Sequence, residues 1–193
     1  MEPARLEAFT DGVVAIIITI MVLDLHVPQG HDLASLKADA PVLFAYLLSY
    51  VNVGIFWNNH HHMLHVTERV DGKVLWANLV LLFWLSLVPF VIRWIDETGF
   101  EPVPTSIYGM VLFAAAVSYG ILEKQIIRVN GSDSGLGRSV GEDRKEKLSG
   151  MIYLSAIGLA FLWPWVAISL YVLVALIWLV PDSRIESLTK GEQ

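Results

Sequence analysis

The sequence of 193 residues contains no cysteine and few charged residues. Without cysteine the chain can form no disulfide, and thiolate metal sites are excluded. Charged residues make up 17% of the chain and hydrophobic residues 55%, with a mean hydropathy of +0.57. A soluble domain carries more charge than this, about 25%. The net charge of −6 argues against nucleic acid as a partner. The composition therefore predicts an integral membrane protein whose surroundings are the lipid bilayer.

The motifs of the common enzyme classes are also missing. The sequence has no nucleophile elbow, no paired-carboxylate motif, no HExxH and no Walker loop. Four glycines lie in the polar segment 131–141, but no strand precedes them and no Lys-Ser/Thr pair follows. We therefore expect no phosphate loop, no enzyme activity and no cofactor.

Apolar segments of membrane length predict one all-α domain, residues 1–193, with six transmembrane helices. The predicted helices cover about residues 6–26, 42–66, 74–95, 105–127, 148–162 and 165–180, and a polar connector covers about 128–147. Residues 148–180 form an uncharged run of 33 residues, which is too long for one ordinary span. Pro164 lies in this run between two tryptophans, which favour the headgroup level, so we place the break there.

Lysine and arginine predict the orientation, because they concentrate on the cytoplasmic side of membrane proteins. With six spans, eleven of the 13 lysines and arginines lie on the side of the termini and the connector. Only Lys37 and Arg93 lie on the other side, so we expect both termini in the cytoplasm. The outer side carries an excess of acids, which could concentrate cations or could be ordinary loop residues. These acids are Asp24, Asp32, Asp39, Asp96, Glu97 and Glu101.

The first helix is the most unusual segment, because only twelve uncharged residues separate Asp11 from Asp24. Such a run is about 18 Å long, which is less than a bilayer core. Acids at this depth usually face protein or a water-filled path. Each residue of an α-helix is rotated by about 100° from the one before it, so two stripes of side chains can be read along this helix. One stripe is Asp11, Ala15, Ile18 and Val22. The second stripe is Gly12, Ile16, Thr19, Leu23 and His26. The second stripe could line a pore, or Thr19 could bond to its own helix while the apolar row packs.

The second helix ends in a cluster of four histidines, His60, His61, His62 and His65. His61 and His65 share a helical face, as in a metal-binding pair, but no third ligand is evident, so we predict no metal site there. We expect the histidines instead to hydrogen-bond polar groups of the first helix at the same membrane depth. The residues assigned to this structural network are Arg5, Phe9, Thr10, Asp11, Trp57, His60, His61 and Asn78.

These residues carry a resemblance to a known family. The segment Arg5-x-x-x-Phe9-Thr10-Asp11 resembles the RxxxFSD signature on the first helix of the transmembrane protein 175 family, the endolysosomal and prokaryotic potassium channels. Threonine at position 10 keeps the hydroxyl of the signature serine. The second-helix pattern resembles the family at Tyr50-Val51, Gly54, Phe56-Trp57 and His60-His61, and the third-helix pattern at Asn78, Leu82 and Pro89-Phe90.

The resemblance implies a homotetramer in a prokaryotic cell membrane, with a central pore lined by the first helices. It implies a hydrophobic constriction at Ile16, a pore hydroxyl at Thr19 and an outer apolar ring at Leu23. Gly12, Ala15 and Ile20 are secondary candidates for the pore, and Ala15 stands where some members have serine. Potassium and other monovalent cations would be the permeant species. The TVGYG filter of ordinary potassium channels is missing.

Two other functions are compatible with the sequence. A proton- or cation-coupled secondary transporter would use Asp11, Asp24 and the histidines within one subunit. Such transporters commonly have internal repeats and broken helices, and the first helix has neither. A metal-sensing membrane protein would use the histidine cluster.

Overall fold

The computed structural model describes residues 2–28, 30–131, 134, 136 and 144–179, and the regular elements within these residues are all helices. The helices are, in chain order, α1 (Pro3–Leu23), α2 (Leu33–Ala38), α3 (Ala40–His65), α4 (Gly72–Ser86), α5 (Val88–Thr98), α6 (Pro102–Asn130), α7 (Arg144–Leu159) and α8 (Pro164–Leu179).

Among the residues that the structure describes, four helical paths are long and apolar enough to cross a membrane. They are α1, α3, the combined path of α4 and α5 from Gly72 to Thr98, and α6, with 21, 26, 27 and 29 residues. At about 1.5 Å per residue, each exceeds the roughly 30 Å of a hydrocarbon core. The helices α7 and α8 have 16 residues each and are about 24 Å long. The predicted break at Pro164 separates these two helices, and α7 begins in the charged residues 144–147 that precede the uncharged run.

The third predicted helix is divided into α4 and α5. Pro89 has no amide hydrogen and cannot donate to the preceding turn of the helix. Just before it, the Leu87 amide donates to the carbonyl of Trp84, three residues back, at 3.2 Å. The helix α5 ends at Gly99, whose φ of +70° lies in the left-handed region that favours glycine. The divided helix still forms one path across the membrane.

Several boundaries differ from those predicted. The helix α1 begins earlier, at Pro3, because proline fits the first turn of a helix. The segment before α3 contains α2, which is not among the six predicted helices. At its start, the Asp32 carboxylate accepts from the Ser35 amide at 2.9 Å. At the connector, α6 extends to Asn130 and α7 begins at Arg144. Residues 132, 133, 135 and 137–143 of the connector and residue 180 of the sixth predicted helix lie outside the described residues, as do the basic residues at 138, 184 and 190.

The helix α6 forms the centre of the fold and packs against α4, α5, α7 and α8. In its most apolar stretch 56% of the residues are buried, compared with 50% for the path of α4 and α5. The corresponding share is only 28% in both α1 and α3. The helix α1 contacts α3, α4 and α5 along one face. The two helices that carry the predicted site are therefore the least covered of the long helices within the chain.

The end of α6 fixes the turn between α3 and α4. The Asn130 side-chain oxygen accepts from the amides of Glu68 and Arg69 at 3.1 and 2.8 Å, and its NH2 group donates to the Arg69 carbonyl at 3.0 Å. Arg128 also donates to Asp71 at 2.6 Å. These contacts hold the start of α4, the helix that carries Asn78.

Candidate functional site

The helix α1 has one face inside the protein and one face that no part of the described chain covers. The buried row is Leu6, Thr10, Val14, Ile17 and Met21, at the three- and four-residue spacing of a helical face. The exposed row contains Phe9, Gly12, Ala15, Ile16, Thr19, Ile20 and Leu23. All six candidate pore residues therefore lie on the uncovered side of α1.

The exposed row combines two large apolar side chains with one hydroxyl. Ile16 is 59% exposed and Leu23 is 81% exposed. Between them, the Thr19 hydroxyl donates to the Ile16 carbonyl at 2.9 Å. Thr19 therefore does bond to its own helix, as the alternative to a pore-lining role requires. The large apolar side chains of the row, however, remain 43–81% exposed and are not covered by another helix of the described chain. Because the Thr19 proton is engaged with the helix, the lone pairs of its oxygen remain available on the exposed face.

The N-terminal half of α1 is joined to α3 and α4 by polar contacts. The Asn78 side chain donates to the Thr10 hydroxyl at 2.9 Å, and the His60 ring bonds to the Asn78 oxygen at 2.8 Å. The Trp57 indole donates to the Asp11 carboxylate at 2.8 Å. Thr10, His60 and Asn78 are buried, with at most 1% of each exposed. The structure therefore brings together Thr10, Asp11, Trp57, His60 and Asn78 from three different helices.

The direction of these bonds shows which ring nitrogen of His60 is the donor. Because the Asn78 NH2 group donates to Thr10, the Asn78 oxygen is the acceptor and His60 Nε2 is the donor. His60 Nδ1 is then the unprotonated nitrogen of a neutral ring. It is buried and has no hydrogen-bond partner among the described residues. A neutral imidazole is the form that can be buried here without an uncompensated charge.

A second contact joins α1 to α3 through His61, whose partner on α1, Glu7, was not named in the prediction. The carboxylate of Glu7 lies 2.7 Å from His61 Nδ1, and the rings of Trp57, His61 and His65 stack in succession along α3. Glu7 lies four residues before Asp11, so the helical period could have indicated that both acids reach α3. Arg5 and Phe9 are exposed and take no part in the described network, although both were assigned to it.

The histidine pair at the end of α3 has no further metal ligand. The rings of His61 and His65 stack with their centroids 6.3 Å apart, and His61 Nδ1 is engaged with Glu7. Within the described residues, no group of three or more histidine, cysteine, aspartate or glutamate side chains is arranged to hold a metal ion. What is observed for the pair is a contact with α1.

The outer end of α1 is joined to α5 by charged groups. The Arg93 guanidinium lies 3.8 Å from the Asp24 carboxylate and donates to Glu97 at 3.0 Å. His26, just after α1, contacts Asp96. Three of the six acids that the sequence assigns to the outer side are thus in contact with a basic side chain. The contact between Arg93 and Asp24 was not predicted.

The comparisons with known proteins agree on one family. Residues 5–89 match the family of the endosomal/lysosomal potassium channel TMEM175. A potassium channel of Chryseobacterium sp. (strain P1-3) is 50% identical over 190 residues, which cover 98% of this chain and 99% of that protein. A potassium channel of Streptomyces collinus is 34% identical over 129 residues, 63% of each chain.

A solved structure is also similar. The crystal structure of a lysosomal potassium-selective channel TMEM175 homolog from Chamaesiphon minutus superposes with a TM-score of 0.79 at 27% identity, covering 94% of this chain and 98% of that one. The matched segment 5–89 contains the exposed row of α1 and every member of the polar network. On this sequence and structural similarity, the chain belongs to the TMEM175 family.

Proposed function

We propose that this chain is a potassium-permeable cation channel in which four copies assemble around their α1 helices. The permeation path runs along the exposed row of α1, and monovalent cations pass down the fourfold axis. Each copy contributes six transmembrane helices, with α7 and α8 as the two short spans. The proposal extends to this chain what its bacterial relatives are named for.

The observation that carries the proposal is the exposed row of α1. Lipid alone would favour a uniformly apolar surface, but this row contains Gly12 and Thr19 beside isoleucine and leucine. The inner half of α1 also carries Asp11 on the flank of that row, bonded to Trp57. Polar groups at membrane depth usually face protein or water rather than lipid. In an assembly around the α1 helices, a second copy would supply the protein surface and the permeation path would supply the water.

The proposed gate is a ring of four Ile16 side chains. A constriction of this kind that is too apolar to hold water stops ions by dewetting. Four Leu23 side chains form a second apolar ring nearer the outer surface. Opening requires the α1 helices to rotate or splay until the rings admit water. No cofactor takes part, and potassium is the transported ion.

The proposed selectivity comes from Thr19. Its oxygen is oriented by the bond to Ile16, so four such oxygens would replace part of the hydration shell of an ion. Ala15 supplies no additional hydroxyl, and the TVGYG carbonyl filter is absent. We therefore expect a potassium preference that is weaker than that of carbonyl-filter channels.

The proposed location is a prokaryotic cell membrane, with both termini in the cytoplasm. The distribution of lysine and arginine supports this orientation. It places the Thr10–Asn78 network near the cytoplasmic end of the pore, and Arg93 and Asp24 near the outer end.

The test is potassium flux and single-channel recording with the purified chain in liposomes. We expect unitary currents under a potassium gradient and a tetramer by mass measurement in detergent. Ile16→Asn should raise the basal current, because the ring becomes wettable. The matched control is Ile121→Asn, an exposed isoleucine on α6 that lies outside the exposed row.

A saturable flux coupled to a proton gradient, without unitary currents, would identify a secondary transporter instead. Equal currents in wild type and Ile16→Asn would remove the gate assignment.

A further inference from the structure

The two ends of α1 are held by contacts of different kinds. At the inner end, Thr10 bonds to Asn78, and both side chains are completely buried. At the outer end, Asp24 faces Arg93, whose side chain is 60% exposed, at 3.8 Å. Buried hydrogen bonds between helices are costly to break, whereas exposed ion pairs contribute little. The inner end is therefore the fixed end of α1.

We infer that α1 pivots about its buried inner anchor and that Arg93 acts as a latch on its outer end. This inference rests on the proposed function, and it concerns how the same pore is regulated. While Arg93 holds Asp24, α1 stays against α5 and the apolar rings stay narrow. When the pair separates, the outer end of α1 moves relative to the body of the subunit. Arg93 is thus a positioning residue that acts on the pore through α1.

The position of the anchor fits this motion. Leu23 lies 13 residues beyond Thr10, about 20 Å along the helix, and Ile16 lies six residues beyond it, about 9 Å. A tilt about Thr10 would move Leu23 about twice as far as Ile16. Between these points α1 contacts the subunit through Val14, Ile17 and Met21, which are apolar. Apolar packing has no directional bonds that would need to break during a small tilt.

The charges around the latch allow it to release and reform. Arg93 also donates to Glu97 one turn further along α5, so it keeps a partner after Asp24 leaves. His26 and Asp96 make a parallel contact between the segment after α1 and α5. The released state therefore leaves no unpaired arginine at the membrane surface.

The absence of cysteine makes a direct test possible. Asp24→Cys and Arg93→Cys can be combined and joined by a short reducible bis-methanethiosulfonate cross-linker. The matched control joins Asp71→Cys and Arg128→Cys, another exposed arginine–aspartate pair, which connects α4 to α6 without touching α1. We expect cross-linking at 24 and 93 to lower potassium flux at least about fivefold, the lower end of typical coupling effects, with recovery on reduction. The control cross-link should leave the flux equal to that of the same double variant before cross-linking, a comparison in which the loss of the Asp71 cap affects both measurements alike.

A charge exchange provides a second test that does not depend on cysteine. Asp24→Arg faces Arg93 with a like charge and should raise the open probability. The double variant Asp24→Arg with Arg93→Asp restores an opposite pair and should return it to the wild-type value. Wild-type flux in the cross-linked protein, equal loss in the control pair, or no rescue by the double variant would overturn the latch. In those cases a raised current in Ile16→Asn would still support the pore, whereas a wild-type protein without potassium flux would remove the proposed function itself.

Discussion

Asn78 donates to the Thr10 hydroxyl at 2.9 Å, and this bond joins the first transmembrane helix to the fourth helix of the fold inside the subunit. The same amide accepts from His60 on α3. One side chain thus connects three helices at the N-terminal half of α1. Because apolar surfaces are not driven together within lipid, such bonds contribute to holding membrane helices in one arrangement.

The first prediction concerns this connection. Asn78→Ala removes two bonds and leaves His60 and Thr10 buried without a partner. We expect a loss of about 1–3 kcal/mol in the free energy of unfolding. It can be measured as a lower melting temperature in detergent by fluorescence-detected size exclusion. Ser169→Ala, which removes only an exposed bond to the same helix, should have little effect. An unchanged melting temperature for Asn78→Ala would contradict the structural role of the network.

The second prediction concerns the hydroxyl of Thr19. Thr19→Val preserves the shape and removes the oxygen, whereas Thr19→Ser keeps the oxygen. If the hydroxyl contributes about 1 kcal/mol to the preference for potassium, the potassium-to-sodium permeability ratio should fall about fivefold in the valine variant. Reversal potentials under bi-ionic conditions measure this ratio. The serine variant should stay close to the wild type. Equal ratios in all three proteins would show that selectivity arises elsewhere.

The third prediction concerns the contact between α6 and α8. A Cβ atom at Gly109 would lie 2.0 Å from the Tyr171 hydroxyl and 2.4 Å from the carbon that carries it. Tyr171 is completely buried, so it cannot move aside without disturbing the core. Gly109→Ala should therefore destabilise the protein by about 1–3 kcal/mol. Gly158→Ala is the control, because its Cβ would meet nothing within 4 Å. Gly109→Ala should have a lower melting temperature than Gly158→Ala. Equal melting temperatures would contradict the close contact between Gly109 and Tyr171.

The fourth prediction is a pH dependence at the start of α4. The Val74 amide, with the Arg128 guanidinium and the Lys73 amide, holds the pKa of Asp71 below its usual value of 3.8. A lowered pKa means that the contribution of Asp71 to stability is complete above the unfolded pKa and is lost as the pH falls through the folded one. The melting temperature of Asp71→Ala should be below that of the wild type at pH 7. The difference should shrink below about pH 4.

The control for this titration is a neighbouring acid. Glu68 lies in the same turn and is exposed. Glu68→Ala also removes an acid from this turn, and its melting temperature at pH 7 should stay close to that of the wild type. A difference for Asp71→Ala that persists at low pH would indicate that the loss comes from packing rather than from the carboxylate.

Much of the fold could be predicted from local patterns. Apolar runs and proline positions indicated an all-α membrane protein, and the stripe of α1 with Gly12, Ile16 and Thr19 followed from the helical period and is exposed. The stripe with Asp11 does not form the buried face, because the row that contains Thr10 faces the neighbouring helices instead. Asp11 was assigned to protein neighbours, and Trp57 indeed donates to it. The short helix α2 was missed, since its six residues are too few for a period to be recognised. The position of Glu7 could have been noticed, but its partner His61 lies 54 residues away in the chain.

By itself, the sequence determined where the long helices lie, which of them are apolar enough to cross a membrane, and which side chains share a face of α1. Those properties depend on the composition and spacing of neighbouring residues. Only the tertiary structure decided that Asn78 meets Thr10, that Arg93 meets Asp24, and that Gly109 makes room for Tyr171. Such pairs depend on where two helices cross and how each is rotated about its own axis. That geometry results from the packing of the whole chain, so no local period contains it.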